Sequence, residues 1–434
     1  MSHAVNRLDE PSRRDFLVQS AKAFLGVSCL SALGGGRALA GDPQPAGAAV
    51  PRPTARNCIY FYLAGGMSHL DTFDPKPGAE TQGPTKAIKT KADGIQISEY
   101  LPKLADHMKS MAVIRGMSST QGAHQPGEYY MRTSFTQRGT IRHPAMGAWL
   151  SYFSGRVNPT LPANVAIGTG SQHPGSGFLE SKYAPLPIGN PEAGLQHSTL
   201  PAGVSEERFA RRMALTQQLN QGFQADYDQK QVRAYRDLYA EAVKLMSSKD
   251  LKAFDVAQEP AAVKAAYGDE TFGQGCMLAR RLIENDVRFV EVNLGGWDTH
   301  DDNFDRVQAR CALLDQGLSA LIPDLASRGL LEETLIVVAT EFGRSPRINS
   351  NNGRDHYPKA FSCLLGGGGI KGGQVQGATD ETGSSVVSGQ VLIPDFNATI
   401  GYALALPLDQ VVVSPQGRPF TFADKGRPLT NLFS

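Results

Sequence analysis

Five apolar runs, each followed by glycines or polar residues, recur along this chain. They occupy residues 58–63, 111–114, 287–294, 335–339 and 361–365. Short uninterrupted runs of this kind are typical of strands that are buried on both faces of a sheet. Between the third and fourth runs, apolar residues recur at steps of three and four from Phe304 to Leu321, which predicts an amphipathic helix closed by Gly329. Strand, helix and strand in succession predict a parallel α/β sheet.

A different pattern covers residues 204–256, which contain no proline between Val204 and Asp255. Apolar residues stand four apart among charged ones, at Leu215, Leu219, Phe223 and Tyr227. This spacing predicts a pair of long helices or one broken helix. We expect a helical insertion that packs beside the sheet as a cap, with this stripe in the core.

The N-terminus carries an export signal. Arg13 and Arg14 lie in the twin-arginine pattern Ser-Arg-Arg-Asp-Phe-Leu, and an apolar stretch leads to the cleavage pattern Ala-Leu-Ala at residues 38–40. The alternatives are two chance arginines before an amphipathic helix and a lipoprotein anchored through Cys29. The apolar stretch is short and is broken by Lys22, so it does not predict a stable membrane span.

These features divide the chain into a signal peptide at residues 1–40, a linker at 41–56 and a folded α/β domain at 57–434. We expect a periplasmic or secreted protein whose export partner is the twin-arginine translocation machinery.

Composition narrows the class of protein. The 434 residues are 41% hydrophobic and can bury a large core. The net charge is +1, and the basic excess lies in the first 40 residues, so no basic surface for nucleic acid is predicted. Four cysteines follow the signal peptide without a Cys-x-x-Cys pair, which favours buried thiols over a zinc ribbon and leaves any disulfide undetermined.

Histidine and acidic residues cluster directly after the predicted strands. The candidate metal ligands are His69, Asp71, Asp298, His300, Glu341, Asp355 and His356. Because ligands collect beyond the carboxyl ends of strands in an open α/β sheet, we expect these side chains to converge. Nitrogen and oxygen ligands together bind Zn²⁺ or Mn²⁺, and oxygen ligands alone bind Ca²⁺, so a divalent metal is the predicted cofactor.

Simpler interpretations of these clusters exist. Asp298 could cap the helix that follows it, and Arg344 could form an ordinary ion pair with Glu341. Arg344 and Arg354 are otherwise candidates for holding a phosphate or sulfate group through paired donors. His124 and His143 form a second histidine group that could lie near the same face.

In combination these motifs resemble an exported bacterial family called domain of unknown function 1501. The resemblance rests on the twin-arginine leader and on the segments at residues 63–76, 296–300, 341–346, 353–358 and 368–383. That family is similar to the alkaline phosphatase and sulfatase superfamily. The resemblance implies a three-layer sandwich with a central, mostly parallel sheet, and a one- or two-metal site that hydrolyses phosphate or sulfate esters.

The resemblance also assigns residues. Asp298 and His300 would correspond to the aspartate and histidine that follow a late strand, and His356 to the last metal-binding histidine. The superfamily's Asp-His-Gly is replaced by Glu341-Phe342-Gly343, which removes one histidine ligand. The first strand ends in glycines, so His69 or Asp71 would have to supply its metal ligand.

The resemblance does not identify the nucleophile. The sequence lacks the Cys-x-Pro-x-Arg motif of sulfatases. Ser119 and Thr120 lie at the expected nucleophile position, with His124 nearby, and the resemblance does not choose between the two hydroxyls.

The sequence therefore predicts an exported, metal-dependent hydrolase of phosphate or sulfate esters. Its substrate would be a small anionic ester or a sulfated or phosphorylated glycan. The alternative is a non-catalytic periplasmic binding or scaffold protein on a degenerate form of the same fold.

Overall fold

The structure, a computed structural model, describes residues 54–196, 198, 200, 202–226 and 239–434. The predicted signal peptide and almost all of the predicted linker lie outside these residues. Within them, no helix is both long enough and apolar enough to cross a membrane.

Among the described residues, nine strands form the central sheet. In chain order they are β1 Asn57–Leu63, β2 Met111–Ser118, β3 Asn164–Ile167, β4 Leu186–Ile188, β5 Phe289–Leu294, β6 Thr334–Ala339, β7 Phe361–Gly366, β8 Gln374–Gln376 and β9 Val391–Leu392. The spatial order is β8-β2-β7-β6-β1-β5-β3-β4, and β9 pairs with β2 beside β8.

The sheet is mostly parallel, as predicted. The five apolar runs form β1, β2, β5, β6 and β7, so their prediction as strands is confirmed. One strand departs from the parallel expectation, because β7 runs antiparallel to both β2 and β6. The short strands β3, β4, β8 and β9 were not predicted, since three of the four have only two or three residues and carry too little periodicity to read.

Helices cover both faces of the sheet. They are α1 His124–Thr133, α2 Met146–Ser154, α3 Glu206–Asp226, α4 Ala261–Tyr267, α5 Thr271–Glu284, α6 Asn303–Ser327 and α7 Ile393–Ala403. The predicted amphipathic helix is α6, and Gly329 follows it with a φ of 70°.

Alternate residues of β1 divide the core in two. Ile59, Phe61 and Leu63 pack in the cluster that contains the buried residues of α5 and α6. Tyr60 and Tyr62 pack in the other cluster, with the buried residues of α2 and α7. A strand that is apolar on both faces thus separates two helical layers, which gives the predicted three-layer α/β sandwich.

The insertion is helical where the structure describes it, in α3 and at residues 239–246. Tyr227 lies outside the described residues. The prediction that the apolar stripe is core is wrong for Leu215, whose side chain is 56% exposed. Its neighbours on α3 are mostly polar, so this part of the helix has no continuous apolar face to bury.

The cysteines behave as the composition predicts. Cys58, Cys276, Cys311 and Cys363 are all buried and free. Burial raises the pKa of each thiol, and that of Cys363 rises to about 12. These thiols are core residues, not reactive groups.

A buried ion pair joins α1 to the sheet. Arg132 Nε donates to Glu291 Oε1 at 2.9 Å, and the Arg132 guanidinium lies 3.6 Å above the centre of the Tyr62 ring. His173 Nε2 lies 3.1 Å from the other oxygen of Glu291. Burial raises the pKa of Glu291, but the charges of Arg132 and His173 outweigh it and lower the pKa to about 2.

Replacing Glu291 by glutamine should therefore change the pH dependence of stability. A carboxyl with a lowered folded-state pKa stabilises the fold above its ordinary value of 4.5, and this contribution is lost as the pH falls toward 2. We expect Glu291→Gln to lower the free energy of unfolding by about 1–3 kcal/mol at pH 7 and by much less at pH 3. Urea unfolding at both pH values measures this. An equal loss at both values would contradict it, and the exposed Glu332→Gln is the control.

Candidate metal centre

A glycine turn after β1 makes room for the site. Gly65 and Gly66 have φ values of 120° and 78°, a conformation that residues with a side chain rarely adopt. A Cβ atom on Gly65 would lie 2.4 Å from the backbone nitrogen of Asp298. The turn therefore packs directly against the loop after β5 and helps to fix the position of Asp298.

Three histidines surround the Asp298 carboxylate. Its Oδ1 atom lies 3.3 Å from Nε2 of His124, 3.2 Å from Nε2 of His300 and 3.5 Å from Nε2 of His356. The Nε2 atoms of His300 and His356 lie 2.9 Å apart. Ligand atoms of His124, Asp298 and His356 all lie within 4.8 Å of one another. Asp298, His300 and His356 therefore lie close together, and their role as metal ligands stays a prediction.

The other ring nitrogen of each histidine faces an acceptor. Nδ1 lies 2.8 Å from Oε1 of Glu341 in His124, 2.9 Å from Oδ1 of Asp355 in His300, and 2.9 Å from the carbonyl oxygen of Gly122 in His356. Such acceptors favour the tautomer with the proton on Nδ1. In that tautomer, the three Nε2 atoms that face Asp298 Oδ1 would be free to ligate a cation.

This arrangement suits a cation. Nε2 of His124 is buried and has no hydrogen-bond partner among the described residues. Two ligands bound about 2.0–2.1 Å from a tetrahedral ion lie roughly 3.3 Å apart, close to the three separations from Asp298. Histidines that ligate metals usually donate their other N–H to a carboxylate or carbonyl, as these do. A mixture of nitrogen and oxygen ligand atoms suits Zn²⁺ or Mn²⁺ better than Ca²⁺.

Neighbouring groups shift the pKa values of the residues in the cluster. Burial raises the pKa of Asp298, but hydrogen bonding to Arg344 and the charge of Arg344 outweigh it and lower the pKa to about 2. Burial lowers the pKa of His356. The hydrogen bond to Glu341 raises the pKa of His124, so a proton would compete with a metal there as the pH falls.

Glu341 lies behind His124, away from the open side. It is fully buried and accepts hydrogen bonds from the Tyr62 hydroxyl at 2.9 Å, from the Gly65 backbone N–H at 2.9 Å and from the Thr340 hydroxyl at 3.2 Å. Predicted as a ligand, this carboxylate is placed to orient His124.

Phe342 packs against two of the histidines. Its ring centre lies 5.1 Å from that of His124 and 4.7 Å from that of His356. The superfamily pattern that the sequence resembles has a histidine before the glycine. Here a phenylalanine supports the imidazoles instead.

Two of the predicted ligands belong to a separate buried network. Asp71 is fully buried and accepts hydrogen bonds from Asn303 at 2.9 Å and from Arg354 Nε at 2.8 Å. His69 is also fully buried, and its Nε2 lies 2.8 Å from the carbonyl oxygen of Gly383. The structure does not bring His69 or Asp71 to Asp298.

The two arginines are likewise placed differently from the sequence-based expectation. Arg344 is fully buried, and its guanidinium binds Asp298 Oδ1 at 2.6 Å and the carbonyl oxygens of Gly65, Gly66 and Arg354. It pairs with Asp298 and makes no ion pair with Glu341. Arg354 is fully buried on Asp71 and backbone carbonyls. These contacts leave neither guanidinium open to an ester.

The candidate nucleophiles border the centre without touching it. Ser119 Oγ accepts from the backbone N–H of Gln121 at 3.0 Å, and Thr120 Oγ1 accepts from the Gln121 side chain at 3.1 Å. Their loop nevertheless supplies the Gly122 carbonyl to His356. His143 lies elsewhere, buried against Tyr129, and burial lowers its pKa to about 4.

Removing the Asp355 carboxylate should weaken metal binding. Asp355 accepts from His300 and orients that ring, and loss of such an outer partner typically costs 10- to 100-fold in metal affinity. We expect that loss for Asp355→Ala in a competition titration with a chromophoric chelator. Asp301→Ala removes an exposed carboxylate next to His300, on the loop after β5, and should leave the affinity unchanged. Equal affinities for both variants would contradict the role of Asp355.

Comparisons with known structures give remote similarities. Ps i-CgsB is 11% identical with a TM-score of 0.41, and the match covers 86% of this chain and 75% of that one. The lipoteichoic acid synthase LtaP from Listeria monocytogenes is 9% identical, with a TM-score of 0.37 and coverages of 82% and 74%. The phosphonate monoester hydrolase SpPMH from Silicibacter pomeroyi is 12% identical, with a TM-score of 0.38 and coverages of 87% and 76%.

At these identities and TM-scores, the similarities do not establish an activity. The comparison with curated proteins gave no match. The profile of one family, described as "Protein of unknown function (DUF1501)", matches residues 55–433. The match includes every residue of the candidate centre and confirms the resemblance that the motifs predict. This chain therefore belongs to the DUF1501 family.

Proposed function

We propose that this protein is an exported, metal-dependent hydrolase of phosphate or sulfate esters. The observation that carries the proposal is the convergence of three imidazole Nε2 atoms on one oxygen of Asp298. A bound divalent ion would neutralise the ester oxygens and activate the attacking group. Zn²⁺ or Mn²⁺ suits this donor set.

The chain's own residues would hold that centre in place. Glu341, Asp355 and the Gly122 carbonyl orient the three rings, and Arg344 fixes Asp298. Asp298 and His300 remain 47% and 43% exposed, so an ester can approach from solvent. The buried groups behind them exclude water from the opposite side.

Ser119 and Thr120 are proposed to border the bound ester. Their loop continues into Gly122 and His124, two contacts of the centre, so either hydroxyl would need only a local rearrangement to reach it. Single Ser119→Ala and Thr120→Ala variants distinguish them. The variant that keeps bound metal and loses turnover identifies the nucleophile. If both keep turnover, attack by an activated water is favoured.

Export is proposed on the sequence alone. Arg13, Arg14 and the Ala-Leu-Ala pattern support the twin-arginine translocation machinery as a partner and a periplasmic or secreted location. An Arg13→Lys, Arg14→Lys double variant should accumulate as a precursor in the cytoplasm. Continued export of that variant would remove the support for this route.

A non-catalytic binding or scaffold protein is the alternative function. The observation that favours it is the local bonding of Ser119 and Thr120, which leaves no candidate hydroxyl in contact with the described centre. Such a protein would bind anions and release no product.

A metal analysis combined with a substrate panel tests the proposal. The mature protein, loaded with Zn²⁺ or Mn²⁺, is assayed against aryl phosphates, phosphonates and sulfates, with Asp301→Asn as the matched control for Asp298→Asn. The hydrolase proposal expects bound metal and turnover in wild type and control, and neither in Asp298→Asn. Bound metal without turnover on any ester would favour the binding protein.

A further inference from the structure

The N-terminus of helix α1 lies at the metal centre, and a cavity lies at its C-terminal end. It has a volume of about 530 Å³, and its walls include Tyr130, Thr136 and Phe420. His124 is the first residue of α1, and a rise of 1.5 Å per residue places Tyr130 about 9 Å further along the helix. The cavity is thus within reach of a substrate larger than one ester group.

The loop that carries Ser119 and Thr120 lies between the metal centre and the cavity. Gln121 Nε2 donates to Thr120 Oγ1 at 3.1 Å and to Thr136 Oγ1 at 3.4 Å. Tyr130 and Thr136 both line the cavity. A molecule that extends from the metal centre over this loop would enter the cavity next.

The cavity is basic. Arg138, Arg418 and Lys425 line it, against a single acidic lining residue, Asp424. Both arginines are exposed, and neither makes an ion pair with a described residue. Their guanidinium groups are therefore free to bind an anion through paired donors.

His143 also lines the cavity. The Tyr129 hydroxyl accepts the backbone N–H of His143 at 2.6 Å and lies 2.8 Å from His143 Nδ1. Nε2 of the ring makes no hydrogen bond with a described residue, so it can contact a bound molecule. Phe420 packs its edge on this ring, with centres 4.8 Å apart, and gives the cavity an apolar surface for a sugar ring.

The cavity wall is also held in an unusual conformation. Ala423, Asp424 and Lys425 have φ values of 56°, 46° and 63°. Three consecutive left-handed residues other than glycine are disfavoured, and such backbone is concentrated at binding and switch sites.

We propose that this cavity binds a second anionic group of the substrate, so that the preferred substrate is a glycan with at least two sulfate or phosphate groups. The proposal rests on the hydrolase function and narrows its substrate class. The scissile ester would lie at the metal centre while a neighbouring sugar packs on Phe420, with its anionic group held by Arg138 and Arg418.

Calorimetric titration tests the cavity separately from catalysis. The probes are a trisulfated heparin disaccharide, its monosulfated counterpart and fructose 1,6-bisphosphate, added to metal-free protein that carries Asp298→Asn. We expect a multiply charged probe to bind, and an Arg138→Gln, Arg418→Gln double variant to weaken that binding by about 10- to 100-fold. The sulfated and phosphorylated probes distinguish the two ester classes.

The matched control is Arg211→Gln, Arg212→Gln, which removes the same charge from exposed positions on α3. An equal loss of affinity in this control would show a net-charge effect and overturn the proposal, as would equal binding of mono- and trisulfated disaccharides or the absence of binding. Because the assay needs neither metal nor turnover, failure of the hydrolase function leaves its result interpretable. Thermal melting confirms that both double variants fold.

Discussion

Replacing His356 by alanine is expected to abolish stoichiometric metal binding and ester hydrolysis together, with little change in the fold. His356 Nε2 faces both Asp298 and His300, so its loss removes one of four converging donors. The residue lies in a two-residue strand on the surface side of the centre, and its 25% exposed ring contributes little to the core. Metal analysis of the purified variant, with its far-ultraviolet circular dichroism, measures both effects.

His107→Ala is a matched control, because this histidine lies in the segment Leu104–Ser110, away from the cluster. It should retain one metal per chain and full activity. If His356→Ala retained as much metal as this control, His356 would be excluded as a ligand and the convergence of the rings would have another origin.

Replacing Arg354 by alanine is expected to destabilise the protein severely. Arg354 and Asp71 are both fully buried and lie 2.8 Å apart, so the variant leaves a buried carboxylate without its charged partner. Breaking such a pair from one side typically costs about 3–5 kcal/mol of unfolding free energy. Urea unfolding measures this loss directly.

An Asp71→Asn, Arg354→Met double variant separates the ion pair from other effects. Because it removes both charges, it should recover part of the stability lost in Arg354→Ala. The sequence alone suggested that Arg354 holds a substrate anion. A variant that stays stable but loses affinity for phosphate or sulfate would restore that interpretation and contradict the structural role.

The framework was readable from the sequence because its signals are long and local. The five apolar runs are strands, and the loop after β5 does carry Asp298 and His300 to the edge of the sheet. Uninterrupted apolar runs indicate buried parallel strands, and polar groups collect at the carboxyl ends of those strands. For this reason, the sequence indicates three of the four proposed ligands, Asp298, His300 and His356.

The remaining contacts depend on three-dimensional packing that local patterns do not encode. His69 and Asp71 follow a strand as Asp298 does, but their tertiary contacts lie with Arg354 and Gly383 in a buried network. The Gly122 carbonyl carries no side-chain signal at all.

Two residues that are close in sequence also have different partners from those the sequence suggested. Arg344 and Glu341 are close in sequence, yet each serves a different partner, Asp298 and His124. The composition of a cluster therefore indicates which chemistry is present, whereas packing decides which atoms face the ligand.

X-ray absorption spectroscopy at the zinc edge, on protein loaded with one equivalent of Zn²⁺, measures the ligands of the proposed metal centre. We expect three imidazole nitrogens and a carboxylate oxygen about 2.0–2.2 Å from the metal. The imidazole signal should fall by one ring in His124→Ala. A coordination shell without imidazole, or a protein that takes up no zinc, would contradict the metal centre formed by His124, Asp298, His300 and His356.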